Sequence, residues 1–307
     1  HLRDRQVVAR SRVRLTRVAR AEERAAWLFL APSLVLFAIF TAIPVISAFF
    51  ISFTQWNLFN EVTWVGLGNY IGLAHDEIFA KVLGNTGYFV LVSVPVQIAL
   101  ALACALALNR GLKGQTFFRV VYFLPVVTST IAAALVWAWL FNSNFGLINA
   151  GLSLAGVTDL PKWMGSTRWA MPAIIIVSIW QNLGYAMVLF LAGLQNIGKD
   201  VHDAAALDGA TGWDRFWHIT LPLLSPTTFF VLVISIIGSF QVFELVLVMT
   251  KAGPANATNT LVYYIYQNGF QFYQMGYASA AAMVLFLIVL IFTLVQYKLQ
   301  RRWVHYG

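Results

Sequence analysis

A chain of 307 residues that is 60% hydrophobic and only 10% charged lies far from soluble domains, which run about 45–50% apolar and about 25% charged. Its mean hydropathy of +0.74 is more apolar surface than one buried core can hide, so a soluble enzyme is excluded and a membrane protein is indicated. The net charge of +8 does not support a nucleic-acid binder, because the 20 Lys and Arg sit in loops and termini.

Eight arginines come first: Arg3, Arg5, Arg10, Arg12, Arg14, Arg17, Arg20 and Arg24. Such a block acts as a cytoplasmic retention arm and can also meet anionic membrane lipid. Six low-charge runs follow, at about 26–53, 84–108, 120–141, 169–194, 223–249 and 277–297. Each has the roughly 20 residues a helix needs to cross about 30 Å of hydrocarbon. Period-2 alternation of the barrel type is absent, so helices are the way to satisfy backbone groups in lipid. The first run is too long for a signal peptide and lacks a small-x-small cleavage site, so it is expected to be retained.

Pro32, Pro44, Pro95, Pro125 and Pro172 fall in or at the ends of these runs and predict kinked helices around a cavity. Trp56, Trp64, Trp163, Trp169 and Tyr277 lie near run ends, as interfacial anchors do. Sixteen of the 20 Lys and Arg fall in the N-terminal arm, the 109–119 and 195–222 loops and the C-terminus. Lys81, Lys162, Arg168 and Lys251 hold the other side, so the positive-inside rule puts both termini in the cytoplasm. The expected fold is an all-α membrane protein with six transmembrane helices. A basic arm occupies 1–25, the helical domain 26–297 and a cytoplasmic tail 298–307. The single Cys104 precludes an internal disulfide.

The longest connection on the charge-rich side, residues 195–222, reads QNIGKDVHDAAALDGATGWDRFWHITLP. Residues 201–207 are alanine-rich and favour helix, while Gly209 and Gly212 can end it with positive φ. Small alanines let a partner backbone approach closely, and Leu221-Pro222 starts the next span where proline is tolerated. The loop resembles the signature loop of ABC importer permeases: an acidic residue and two alanines, then Gly, then after nine residues Ile-x-Leu-Pro. Here these are Asp203, Ala204, Ala205, Gly209, Ile219, Leu221 and Pro222, with Asp208 beside the glycine and Asp203 where Glu is more usual. The resemblance continues at SFQVFELVLVMTKAGP (239–254), where Ala252, Gly253 and Pro254 replace a Gly-Gly-Pro, and at APSLVLFAIFTAIPVISAFFISF, VGLGNY and FFRVVYFLPVV. These are similar to the carbohydrate-uptake branch.

That resemblance implies a type I ABC importer permease fold and a short helix docking on a cytoplasmic ATPase. It further implies a second homologous permease, two ATPase subunits that bind the ATP and Mg, and an extracytoplasmic solute-binding protein, with this chain in the bacterial cytoplasmic (inner) membrane and binding no cofactor itself. Within span four, Ser178, Gln181, Asn182 and Tyr185 follow i, i+3, i+4, i+7 and place hydroxyl, amide and phenol groups on one face. Such groups match sugar hydroxyls, although helix-to-helix hydrogen bonding would use the same residues. In maltose-type relatives the positions of Gln181, Asn182 and Tyr185 lie at the sugar, and those of Ser235 and Ser239 border the cavity. Gln241 and Glu244 are expected on another side of span five. Glu244, the one acidic residue inside a predicted span, either lines the cavity or meets another subunit.

Catalytic patterns do not form. His75, His202, His218 and His305 lie in loops or ends, His1 is terminal, and no His-Glu-x-x-His or cysteine pair offers metal-ligand spacing. Gly193, Gly198 and Lys199 imitate a phosphate loop, but Asp200 stands where Ser or Thr is needed and no strand precedes. The chain therefore reads as a permease subunit carrying a sugar or oligosaccharide by alternating access, and not as an enzyme. A glycerol-phosphate or glycerophosphodiester permease is the alternative. An ion-coupled carrier is the competing class, but it wants ionisable groups near the midplane, and Glu244 alone, near the outer end, is available.

Overall fold

The computed structural model describes residues 17–110 and 114–304; the arginines before Arg17, Lys113 and His305 with the two residues after it lie outside the described residues. The chain divides into two compact units, 1–50 and 51–307. In the first, α1 (Arg17–Phe37) passes through a π-helical turn at Ala38–Ala42 into α2 (Ile43–Ile51). Its apolar side chains are exposed almost all round, Phe29 and Leu28 among them. A helix of 30 residues at 22–51 with such a surface suits a lipid environment.

The second unit begins with a hairpin, β1 (Thr54–Gln55) paired antiparallel with β2 (Thr63–Trp64), then α3 (Gly68–His75). The long α4 (Glu77–Asn109) follows, and α5 (Gln115–Val127), α6 (Thr130–Leu140) and α7 (Leu147–Leu154) lead to the second long helix, α8 (Ala170–Gln195). After α8 come α9 (Lys199–Leu207), α10 (Gly212–Arg215), a π-helical turn at Phe216–Thr220 and α11 (Leu221–Leu223). The unit closes with α12 (Ser225–Phe240), α13 (Glu244–Met249), α14 (Leu261–Tyr266) and α15 (Met275–Trp303).

The most extensive helix pairing is α4 with α8. Phe89 and Val94 of α4 pack there against Ile174 and Val177 of α8, with Phe141, Phe240 and Val246 completing the core. Further along the same pair, Ala101, Ala105 and Leu108 meet Met187 and Phe190 of α8, with Val231 of α12 joining them. Gly184 lets α8 approach α5 closely, since a Cβ there would overlap the Tyr122 carbonyl. Among the described residues, five helices are long and apolar enough to span a membrane.

The third expected span is not one straight helix. Its run divides into α5 and α6, bent by 100°, and only together do they make a sixth span. Thr128 and Ser129 are extended at the break (ψ 146° and 127°), and Thr128 Oγ1 donates to the Pro125 carbonyl at 2.6 Å. Pro125, near the end of α5, brings no N–H, and its carbonyl accepts from both the Thr128 amide and the Thr128 hydroxyl, which closes the last turn. The fifth span is interrupted as well, because the helix stops at Phe240 and restarts at Glu244. Gln241 and Val242 donate to Gly238 and Ser239 carbonyls three residues back, tightening the end of α12. Gln241 and Glu244 therefore do not share one continuous helix face, as a 3.6-residue period would place them.

At one end of the bundle, Asp76 caps α4 by accepting from the Ile78 N–H at 2.8 Å and also receives Tyr264 Oη at 2.5 Å and Tyr277 Oη at 3.0 Å. A single carboxylate thus fastens α4, α14 and α15 together.

Candidate functional site

All eight intramembrane residues singled out in the sequence gather around one cavity of about 630 Å³. From α8 come Ser178, Gln181, Asn182 and Tyr185, whose spacing puts them along one stripe of the helix. Ser178 and Gln181 are buried, whereas Asn182 and Tyr185 are exposed to the opening. Ser235 and Ser239 come from α12, and Gly238 between them carries no side chain to fill the space. The interruption after α12 supplies Gln241, and the first residue of α13 supplies Glu244. Breaking the helix there is what turns both residues to the cavity that Ser235 and Ser239 line, since an unbroken helix would put them on its other side.

Part of this polarity is used internally. Gln181 Nε2 donates to Thr130 Oγ1 at 3.0 Å, tying α8 to the first turn of α6. Asn182 Nδ2 donates to the Ser178 carbonyl at 2.9 Å, one turn back in its own helix. Gln97 and Thr130 also line the cavity and were not anticipated. Gln97, an amide in an apolar run two residues after Pro95, carried a readable signal, since polar groups at membrane depth are costly unless they face protein or water. Thr130 carried none, because only the 100° bend brings it here. No Lys, Arg or His lines the cavity, and Glu244 is its one carboxylate among the described residues.

The second set of residues forms an elbow. Asp203, Ala204 and Ala205 lie on α9, Asp208 is its C-cap, and Gly209 follows at φ 78°. Ala210 N–H donates to the Ala205 carbonyl and Gly209 N–H to the Ala206 carbonyl, the paired bonds of a Schellman stop. Gly212 behaves otherwise than expected, starting α10 instead of ending α9. Thr211 caps that turn in a reciprocal box with Asp214, whose carboxyl the Thr211 hydroxyl holds below its ordinary range. Ile219 sits in the π-helical turn, and Leu221 with Pro222 forms α11. Asp203, Ala204, Leu207 and Asp208 are exposed, and Ala205 turns inward at 7% exposure. The phosphate-loop imitation fails structurally too: Gly198 precedes α9, and helix α8, not a strand, leads into it.

Fold and cavity define an integral-membrane permease. The chain belongs to the family of binding-protein-dependent transport system inner membrane components, whose model matches residues 97–305. It is 37% identical over 282 residues to the arabinooligosaccharides transport system permease protein AraP of Bacillus subtilis (strain 168), covering 91% of this chain and 89% of that protein. With the sn-glycerol-3-phosphate transport system permease protein UgpA of Agrobacterium fabrum it shares 34% identity, covering 92% of this chain and 96% of the relative. A chain in the crystal structure of a bacterial alginate ABC transporter, in complex with alginate pentasaccharide-bound periplasmic protein, has the same fold. The TM-score is 0.81 at 23% identity, over 94% of this chain and 98% of that chain. The protein is accordingly a multi-pass ABC transporter permease, a transport subunit and not an enzyme.

Proposed function

We propose that this permease carries a neutral saccharide into the cytoplasm by alternating access through the cavity between α8, α12 and α13. The carrying observation is the cavity's lining of amides, hydroxyls and a phenol with no basic side chain among the described residues. Amides and hydroxyls donate and accept, as sugar hydroxyls do, and the Tyr185 ring can cover an apolar sugar face. Relatives named for arabinooligosaccharides and for sn-glycerol-3-phosphate make both solute classes candidates. Glu244 and the missing cation weigh against the phosphate, which wants Arg or Lys.

The working assembly is this chain beside a second homologous permease in the inner membrane, two cytoplasmic ATPases holding ATP and Mg, and an extracytoplasmic solute-binding protein. Closure of the ATPases moves α9, and the helices behind it rock the cavity from one side to the other. Asp203, Ala204, Ala205, Asp208 and Gly209 make the contact, while Ile219, Leu221 and Pro222 pass the motion into α12. Alternating access needs two states that differ in contacts at both ends, and α9 joins the helices to the energy source.

The test is uptake of radiolabelled arabinotriose, lactose and maltotriose by the four-subunit complex in vesicles with its binding protein. At least one should be imported, and unlabelled glycerol 3-phosphate should not compete. Asn182→Ala with Tyr185→Ala should cut uptake about tenfold or more with assembly intact, each lost hydrogen bond being worth about 1 kcal/mol. Unchanged kinetics would remove this stripe from the pathway, and competition by glycerol 3-phosphate would favour the phosphate solute.

A further inference from the structure

A second cavity, of about 810 Å³, lies between the 54–69 segment and the 272–277 segment that leads into α15. Its walls are held at the backbone. Met275 N–H donates to the Trp56 carbonyl at 2.9 Å, and Asn69 Nδ2 donates to the carbonyls of Ser52 and Thr54 at 2.8 and 2.9 Å. Gly276 is pressed against the Thr54 carbonyl so closely that a Cβ would overlap it. Asn57, Thr63, Asn69 and Tyr277 spend polar atoms on this frame, while other side chains that face the space are uncommitted. Gln55, Asn60, Glu61 and Gln274 make no side-chain hydrogen bond or ion pair among the described residues, nor does the Trp56 indole N–H.

We propose that this cavity is a second saccharide-binding site, where solute rests before entering the central cavity. The proposal builds on the sugar-import function above, and in that orientation the site faces the outside. Its chemistry repeats that of the central cavity: three amides and a carboxylate offer paired donors and acceptors for neighbouring hydroxyls, and the Trp56 and Tyr277 rings offer apolar faces. Walls pinned by hydrogen bonds, with aromatic faces and a few unspent polar groups, suit a small molecule. No Lys, Arg or His lines it among the described residues, so an anionic solute finds no counter-charge. The two cavities are joined through α14, whose Val262 lines the central one while its Tyr264 hydroxyl meets that of Tyr277, at 3.2 Å, in the wall of the outer one.

Diazirine-tagged arabinotriose, lactose and maltotriose, photolysed with the complete reconstituted complex and mapped by peptide mass spectrometry, test this. At least one should label residues 55–63, in competition with its untagged form. Trp56→Ala should reduce that label tenfold or more and Gln274→Ala, at an exposed side chain, about threefold, while label in the central cavity persists. Label in the central cavity but none at 55–63 overturns this inference and leaves the transport function standing; label at neither overturns both. Label at 55–63 that survives both substitutions is mere proximity and overturns the site. Weakened docking of the binding protein in these variants, with labelling unchanged, makes the cavity a protein-docking surface and equally overturns it.

Discussion

Asp76 accepts hydrogen bonds from two tyrosines and one backbone amide that belong to three different helices. Burial pushes its carboxyl upward, but bonds from Tyr264, the Ile78 amide and Tyr277 outweigh that and hold it below its ordinary value. Tyr264 is displaced the other way, first by burial and then by the neighbouring carboxylate, so its hydroxyl remains a donor throughout the physiological range. Because the folded Asp76 titrates below the unfolded value of about 3.9, its stabilising contribution is complete above that pH and is lost as pH falls through the lower, folded value. Thermal unfolding of the detergent-solubilised protein should show a melting temperature that declines on acidification below about pH 4. Asp76→Asn should lower the melting temperature at pH 7 and flatten that decline; an unchanged acid limb would detach Asp76 from it. None of this was readable in the sequence, because Asp76 and Tyr264 are 188 positions apart. The α8 stripe was readable, because four polar residues repeat at helical spacing within one element.

Elements were legible where a single periodicity ran unbroken. The α4 and α8 runs each fold as one helix, whereas the third and fifth runs are divided at Thr128–Ser129 and at 241–243. Composition cannot report such breaks, since an apolar run looks alike whether straight or bent by 100°. The end of α9 was legible for the opposite reason, a glycine at a position that needs positive φ. Gly209 sits at φ 78° with nothing within 4 Å of where a Cβ would go, so substitution there is penalised through the backbone alone. A left-handed residue with a Cβ costs about 1–2 kcal/mol, and Asn tolerates that conformation better than most. Gly209→Val should loosen α9 and uncouple ATP hydrolysis from uptake in the reconstituted complex, while Gly209→Asn should keep most of the coupling. Equal coupling in both variants would mean that the stop after α9 does not transmit the ATPase motion.

At the scale of the whole molecule, the exposed surface is itself evidence of setting. Leu91, Ile291 and Leu294 on the long α4 and α15, and Leu124 and Leu135 on the bent pair α5 and α6, are each at least half exposed, a surface that water would not support and that lipid or another apolar subunit would. The positive-inside rule predicts which end of the bundle faces the cytoplasm. Along the sequence, sixteen of the 20 Lys and Arg fall in the N-terminal arm, the 109–119 and 195–222 loops and the C-terminus, and Lys81, Lys162, Arg168 and Lys251 fall in the alternate loops. The hairpin at 54–64 and the elbow at 199–223 should therefore be separated by the membrane. Cys104 is the single cysteine, so a Cys104→Ser background leaves room for one reporter at a time. Asn60→Cys and Asp203→Cys both replace exposed side chains and should fold normally. In intact spheroplasts a membrane-impermeant maleimide should modify the cysteine at 60 and not the one at 203, which should react only after permeabilisation. The reverse pattern would put α9 out of reach of any cytoplasmic ATPase and would remove the drive for transport along with the orientation.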